Sequence, residues 1–127
     1  MKKFLCAVFF VLVLAGLSYA AEDAGTVSIQ DFVAQANNSL KFDRLYKGKY
    51  VTVTGCKVER VEARDNDYVL GAWNGDWDVG SVYFTFTTAN AEQIVDLDGG
   101  DIVTIRGFVR RDKNLGDPTL YNCKIIK

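Results

Sequence analysis

Four cations and three aromatic rings are the side chains here whose types and spacing suit recognition chemistry. Arg106, Arg110, Arg111 and Lys113 crowd into one short stretch. Trp73 and Trp77 flank an Asn74-Gly75 turn, and Tyr83 follows in an alternating segment. Guanidinium and ammonium groups neutralise phosphates and other anions, and flat rings offer bases or sugars a stacking surface. The same residues also suit plainer duties. One indole can cap the end of a fold while the other lies half-buried. An outward tyrosine is ordinary on a strand, and charge along a strand edge opposes aggregation.

Catalytic equipment is sparse. The chain has no histidine, so the commonest general base and metal ligand is missing. No glycine-rich phosphate loop is present, and no spacing singles out a carboxylate pair. Asp96-Leu-Asp98-Gly-Gly-Asp101 resembles half a calcium loop, but its glycine comes too early and Gly107 stands where the closing Glu belongs. It reads as a helix stop before a strand. Asp65-Asn66-Asp67 and the Asp76/Asp78 pair read as acidic turns. The expectation is a non-enzymatic protein with no metal and no cofactor.

Residues 1–20 have the pattern of an export leader. Lys2 and Lys3 precede an apolar run from Phe4 to Leu14, and Ser18 and Ala20 are small residues before a cleavage point at Ala21. The run is shorter than the ~20 apolar residues that span a bilayer as a helix. Cys6 precedes most of it, whereas a lipid-carrying cysteine would follow. The expectation is cleavage, no stable membrane anchor afterwards, and a periplasmic or secreted protein. Loss of Lys2 and Lys3 takes the net charge from −1 to −3, so global attraction to nucleic acid is excluded and only a local basic patch could supply it. Cys56 and Cys123 remain, an even pair in an exported chain, and an oxidising compartment predicts a disulfide between them. Two buried thiols are the alternative.

Patterning supplies the elements that must position these residues. Ala21 to Val27 is small and polar and reads as a frayed terminus. Ser28 is a helix N-cap before Ile29, Phe32, Val33 and Ala36, and Leu40 to Tyr46 gives a further helical turn or two. Tyr50 then begins a long alternating strand, with Gly55 marking a bend. Tyr68 to Trp73 and Val79 to Thr88 are the second and third strands, with Val82, Phe84 and Phe86 inward and Tyr83 and Thr85 outward. Ala89 to Leu97 has helical spacing. Asp101 to Arg111 and Thr119 to Ile126 complete five strands, the last with Tyr121, Cys123 and Ile125 on one face. This predicts a mainly β domain over residues 28–126. Its form is a five-stranded OB-fold barrel with an N-terminal helix and a helix between strands 3 and 4. In such barrels the second and third strands carry ligands, bounded by loops. That places Trp73, Trp77 and Tyr83 beside the cleft and Arg106, Arg110, Arg111 and Lys113 at its border.

Three segments carry a family resemblance: Tyr46-Lys-Gly-Lys-Tyr-Val-Thr-Val-Thr-Gly55, Gly100-Asp-Ile-Val-Thr-Ile-Arg-Gly107 and Leu120-Tyr-Asn-Cys-Lys-Ile125. Together they resemble the tRNA-anticodon-binding-like OB-fold family of exported bacterial proteins. The resemblance implies the fold and brings no catalytic residues with it. Many of its members are lipoproteins, from which the position of Cys6 departs. Two functions remain open. One is a binding module for single-stranded nucleic acid or oligosaccharide. The other is an envelope structural domain whose partner is a protein.

Overall fold

The computed structural model describes residues 22–64, 67–73, 82–110 and 118–127. The expected leader, the Asn74-Gly75 turn and most of the loop before Pro118 lie outside them. Six strands are present: β1 (Asp23–Ser28), β2 (Tyr50–Arg64), β3 (Asp67–Trp73), β4 (Val82–Phe86), β5 (Ile102–Val109) and β6 (Thr119–Ile126). Two helices, α1 (Ile29–Ala36) and α2 (Ser39–Tyr46), lie between β1 and β2. The strand order is β1-β2-β3-β4-β6-β5, and a further β2–β5 pairing brings the last strand back to β2. The pairings β2-β3-β4-β6-β5-β2 thus form a ring, with β4 and β6 parallel and the other pairs antiparallel. This is the OB-like arrangement that the strand order predicts.

The ring depends on bulges that reset alternation. Along β2, Val51 and Val53 are buried, and so are Cys56 and Val58, a spacing an unbroken strand cannot give. The register against β5 shifts between Val53 and Cys56, where Gly55 has φ +72°. A left-handed residue is cheap for glycine and costly for others, which explains why the bend sits there. β6 uses the same device at Asn122, whose φ is 54°. Its pairing with β5 passes from Arg106↔Lys124 to Phe108↔Tyr121, so β6 spends one more residue than β5. Leu120 and Cys123 therefore both point inward. The expected common face of Tyr121, Cys123 and Ile125 is corrected accordingly, since Tyr121 lies outside.

The N-terminus also differs from expectation. Asp23–Ser28 is not frayed but pairs parallel with the first half of β2, in the register Thr26↔Thr52 and Val27↔Val53. β3 pairs only from Lys57 onward, so β1 satisfies backbone groups that β2 would otherwise leave open. Ser28 Oγ then accepts the Asp31 N–H at 3.1 Å and caps α1, and Asn38 Oδ1 does the same for Lys41 in α2. Phe32 from α1 is fully buried, with its ring 5.1 Å from Phe42 and 5.0 Å from Tyr46. The expected helix over 89–97 is a short 3₁₀ turn, Thr88–Gln93. Only Ile94 behind it is fully buried while Val95 stays 65% exposed, so little apolar burial rewards a longer helix. Gln93 Oε1 accepts the Ile125 N–H at 2.8 Å and ties the turn to β6.

Cys56 and Cys123 are free thiols buried in the core, and the expected disulfide is corrected to that extent. Each behaves as a small apolar side chain. Cys56 Sγ lies 3.4 Å from the Val53 carbonyl oxygen, to which it donates. Cys123 fills the space over Gly107, where an added Cβ would lie 2.5 Å from its Sγ and 2.9 Å from Leu120 Cβ. Burial pushes the Cys56 thiol up to about 12 and raises that of Cys123 as well.

Two outcomes follow from this packing. Gly107→Ala overfills the β5–β6 contact and should cost about 1–3 kcal/mol, read as a lower melting temperature, with part of the loss recovered in Gly107→Ala/Cys123→Ala. Both thiols should resist alkylation at pH 8 in the native protein and react fully in denaturant without reductant, as read by peptide mass mapping. Their folded-state pKa values lie above the unfolded ones, so their contribution to stability is complete below pH ~9 and is lost as pH rises further. Cys56 and Cys123 peptides that stay unmodified in denaturant until reductant is added would contradict the thiol assignment.

Candidate functional site

Inward residues of β4, β5 and β6 build the core, and their outward neighbours build a surface. Val82, Phe84 and Phe86 are buried, which turns Tyr83 and Thr85 outward and half-buried. Ile105, Gly107 and Val109 face inward, which turns Arg106, Phe108 and Arg110 outward. The Asn122 bulge adds Tyr121. Register then sets the rings in a row: Tyr50 opposite Phe108, Phe108 opposite Tyr121, and Tyr83 opposite Thr119, two residues before Tyr121.

Guanidinium groups lie on this row. Arg110 Cζ is 3.8 Å above the centroid of Tyr121, and Arg106 Cζ is 4.4 Å above that of Tyr50. The Tyr50 and Phe108 rings lie 5.3 Å apart, tilted by 58°. A cation over a ring face is drawn to its negative quadrupole, which orients the guanidinium. Between Tyr83 and Tyr121 the surface sinks into a shallow hollow of about 290 Å³, rimmed also by Arg64, Asp67, Val69 and Thr85. Arg64 is partly neutralised by Glu62, 2.6 Å away. At Gly71, opposite Tyr83, an added Cβ would lie 3.6 Å from the Tyr83 ring and 3.8 Å from the Arg60 stem. The ring and the arginine therefore flank bare backbone.

Asp23 bears on this face from β1. Its Oδ2 is 3.0 Å from Arg106 Nη2, and its Oδ1 accepts the Gly25 N–H at 2.7 Å. The Gly25 amide and the Arg106 guanidinium together hold its carboxyl below the usual range.

Of the residues expected from sequence, the structure brings Tyr83 to the hollow, sets Arg110 over the Tyr121 ring that lines it, and sets Arg106 over Tyr50, farther along the row. Trp73 ends β3 with its backbone opposite Lys57, but its side chain lies outside the described residues, as do Trp77, Arg111 and Lys113. Sequence reasoning missed Tyr50, Phe108, Tyr121 and Arg64. Tyr50 and Phe108 were legible as the outward partners of Val51 and of Ile105-Gly107-Val109. Tyr121 was not, because its facing depends on the bulge. Asp101 Oδ2 accepts the Asp98 N–H at 2.9 Å, so that acidic segment closes a turn. Among the described residues, no three Cys, Asp or Glu gather as a metal site would require.

A solved structure shares this architecture. It is a "putative nucleic acid-binding lipoprotein" from Klebsiella pneumoniae, 24% identical, with a TM-score of 0.69 over 80% of this chain and 91% of the other. That likeness shows the fold. No curated protein matches the sequence. The family model described as tRNA_anti-like matches residues 15–125, most of the chain, and the chain belongs to that family.

Proposed function

We propose that this domain is an exported binding module, without catalysis of its own, that holds single-stranded nucleic acid on the outer face of β4, β5 and β6. The observation that carries the reading is the Arg110 guanidinium stacked 3.8 Å above Tyr121, beside the hollow that Tyr83 shares. Phosphate neutralisation and base stacking are the two contributions that single-strand binding combines, and here one strand pair supplies both. The name given to the Klebsiella pneumoniae protein agrees with this reading.

An oligosaccharide would use the rings but gain little from the cations, so the arginine placement favours a polyanion. Export rests on the leader pattern of residues 1–20 and agrees with the lipoprotein description of the structural neighbour. The absence of histidine supports a role without chemistry. Recognition is expected to be weakly sequence-dependent, since every base has a face to stack. The face is local in a net-acidic chain, so affinity should be modest and concentrated where the guanidinium groups lie.

Fluorescence anisotropy with labelled dT12 over a salt series tests this. Binding should weaken as salt rises, and Arg110→Gln should reduce the slope of log K against log salt by about 0.7. Tyr121→Leu should cost about 1–3 kcal/mol of binding. Binding that ignores both salt and Arg110, or a protein-only partner, would move the domain to the envelope-interaction reading.

A further inference from the structure

β2 and β3 run on past the closed ring. The pairing of β2 with β5 stops at Lys57↔Ile102, whereas its pairing with β3 continues to Arg64↔Asp67. Beyond that point the inner face of the β2–β3 ribbon carries Val61 and Ala63, with Tyr68 directly opposite Ala63. The chain that faces it is the 3₁₀ turn and the residues after it. Ile94 there is buried, Val95 is 65% exposed and Leu97 is half-buried. So short a turn covers the ribbon only in part. Between the two lies an open hollow of about 450 Å³, within the size range of small-ligand sites.

The lining has two characters. Val61, Ala63, Tyr68, Ile94, Val95 and Leu97 make an apolar wall with one aromatic ring. The charge is all of one sign. Glu62 and Glu92 line the hollow, and among the described residues no lysine or arginine does. Arg64, 2.6 Å from Glu62, partly neutralises it, so the weight falls on Glu92. The surroundings have the same sign. From Asp65 to Ile105 the sequence holds no lysine or arginine, and Asp96, Asp98 and Asp101 follow Glu92. A concave site with one sign of charge focuses the field and concentrates the opposite ion. An anion would meet repulsion here, and a neutral apolar molecule would desolvate a carboxylate without compensation.

We propose that this hollow is a second binding site, for a small organic cation: a primary ammonium on an apolar body. The ammonium pairs with Glu92, and the body lies against Val61, Ala63, Ile94 and Leu97. The Tyr68 ring serves either part, since a ring face also attracts a cation. The site is separate from the nucleic-acid face. Tyr68 lines this hollow, while its neighbours Asp67 and Val69 line the one beside Tyr83. The proposal therefore does not depend on the single-strand reading.

The test uses n-octylammonium below its micelle concentration, with octanol and octanoate as probes of matched length. Amide chemical shifts of the isotope-labelled protein report both place and affinity. Octylammonium should move the amides of residues 61–63, 68 and 91–97. It should bind about two- to fivefold more tightly than octanol, the worth of one exposed ion pair, and octanoate should bind more weakly than either. Glu92→Gln should abolish the preference for octylammonium, whereas Glu22→Gln, a carboxylate paired with Lys49 on the β1 side, should keep it. Val95→Ser, at an exposed position, should weaken all three probes. Glu92→Gln should leave dT12 binding unchanged, and melting curves establish that each variant folds. Octanoate binding as tightly as octylammonium, a preference that survives Glu92→Gln, shifts centred on other residues, or no binding of any probe would each overturn the proposal. Failure of dT12 to bind would remove the single-strand reading and leave this site standing.

Discussion

β2 must serve two sets of neighbours, and the remaining structure depends on how it does so. Its first half lies between β1 and β5, and its second half pairs with β3. A flat strand could not reach both, because closure of a small sheet needs tilt and local bending. Gly55 supplies the bend at φ +72°, and a second register shift between Val58 and Arg60 adds to it. With β2 bent, β5 returns to it and the pairings close. Phe84, Phe86, Leu70 and Ile105 are then enclosed without solvent exposure. At ~1.5–3 kcal/mol for each fully buried large side chain, this enclosure is what backbone ordering must be set against. The outer row of rings is a by-product of the same geometry, since each inward residue of β5 fixes an outward one.

The strand order, the inward set of β4 and the Gly55 bend were legible because each depends on local pattern alone. Val82, Phe84 and Phe86 alternate cleanly, and a glycine inside an alternating run is a recognised bend signal. What was not legible depends on partners distant in sequence. Asp23–Ser28 carries little β propensity of its own, and it is a strand because β2 offers it an open edge. Asn122 bulges because Gly107 leaves a space that both Leu120 and Cys123 enter. That one residue moved Tyr121 from the expected core to the surface.

The cysteines show a different limit. Counting them is an argument about compartment, and compartment says nothing of where two side chains point. Their packing in the interior as thiols serves the Gly107 contact and the core near Val53. The expected recognition residues divide in a similar way. Tyr83 and Arg110 follow from alternation. The presence of Asp23 at Arg106 comes from a contact 83 residues apart in sequence, which no local pattern records.

In a net-acidic chain, cations held on tyrosine faces give a surface whose charge is local and directed. The OB-like ring supplies the rigid backing. Amide chemical-shift mapping on the isotope-labelled protein addresses the location of binding most directly. With dT12 added, the largest changes are expected at Tyr83, Arg110 and Tyr121, and α1 and α2 should stay unaffected. Changes confined to the helices, or to the 3₁₀ turn and its neighbours, would place recognition elsewhere and contradict the account.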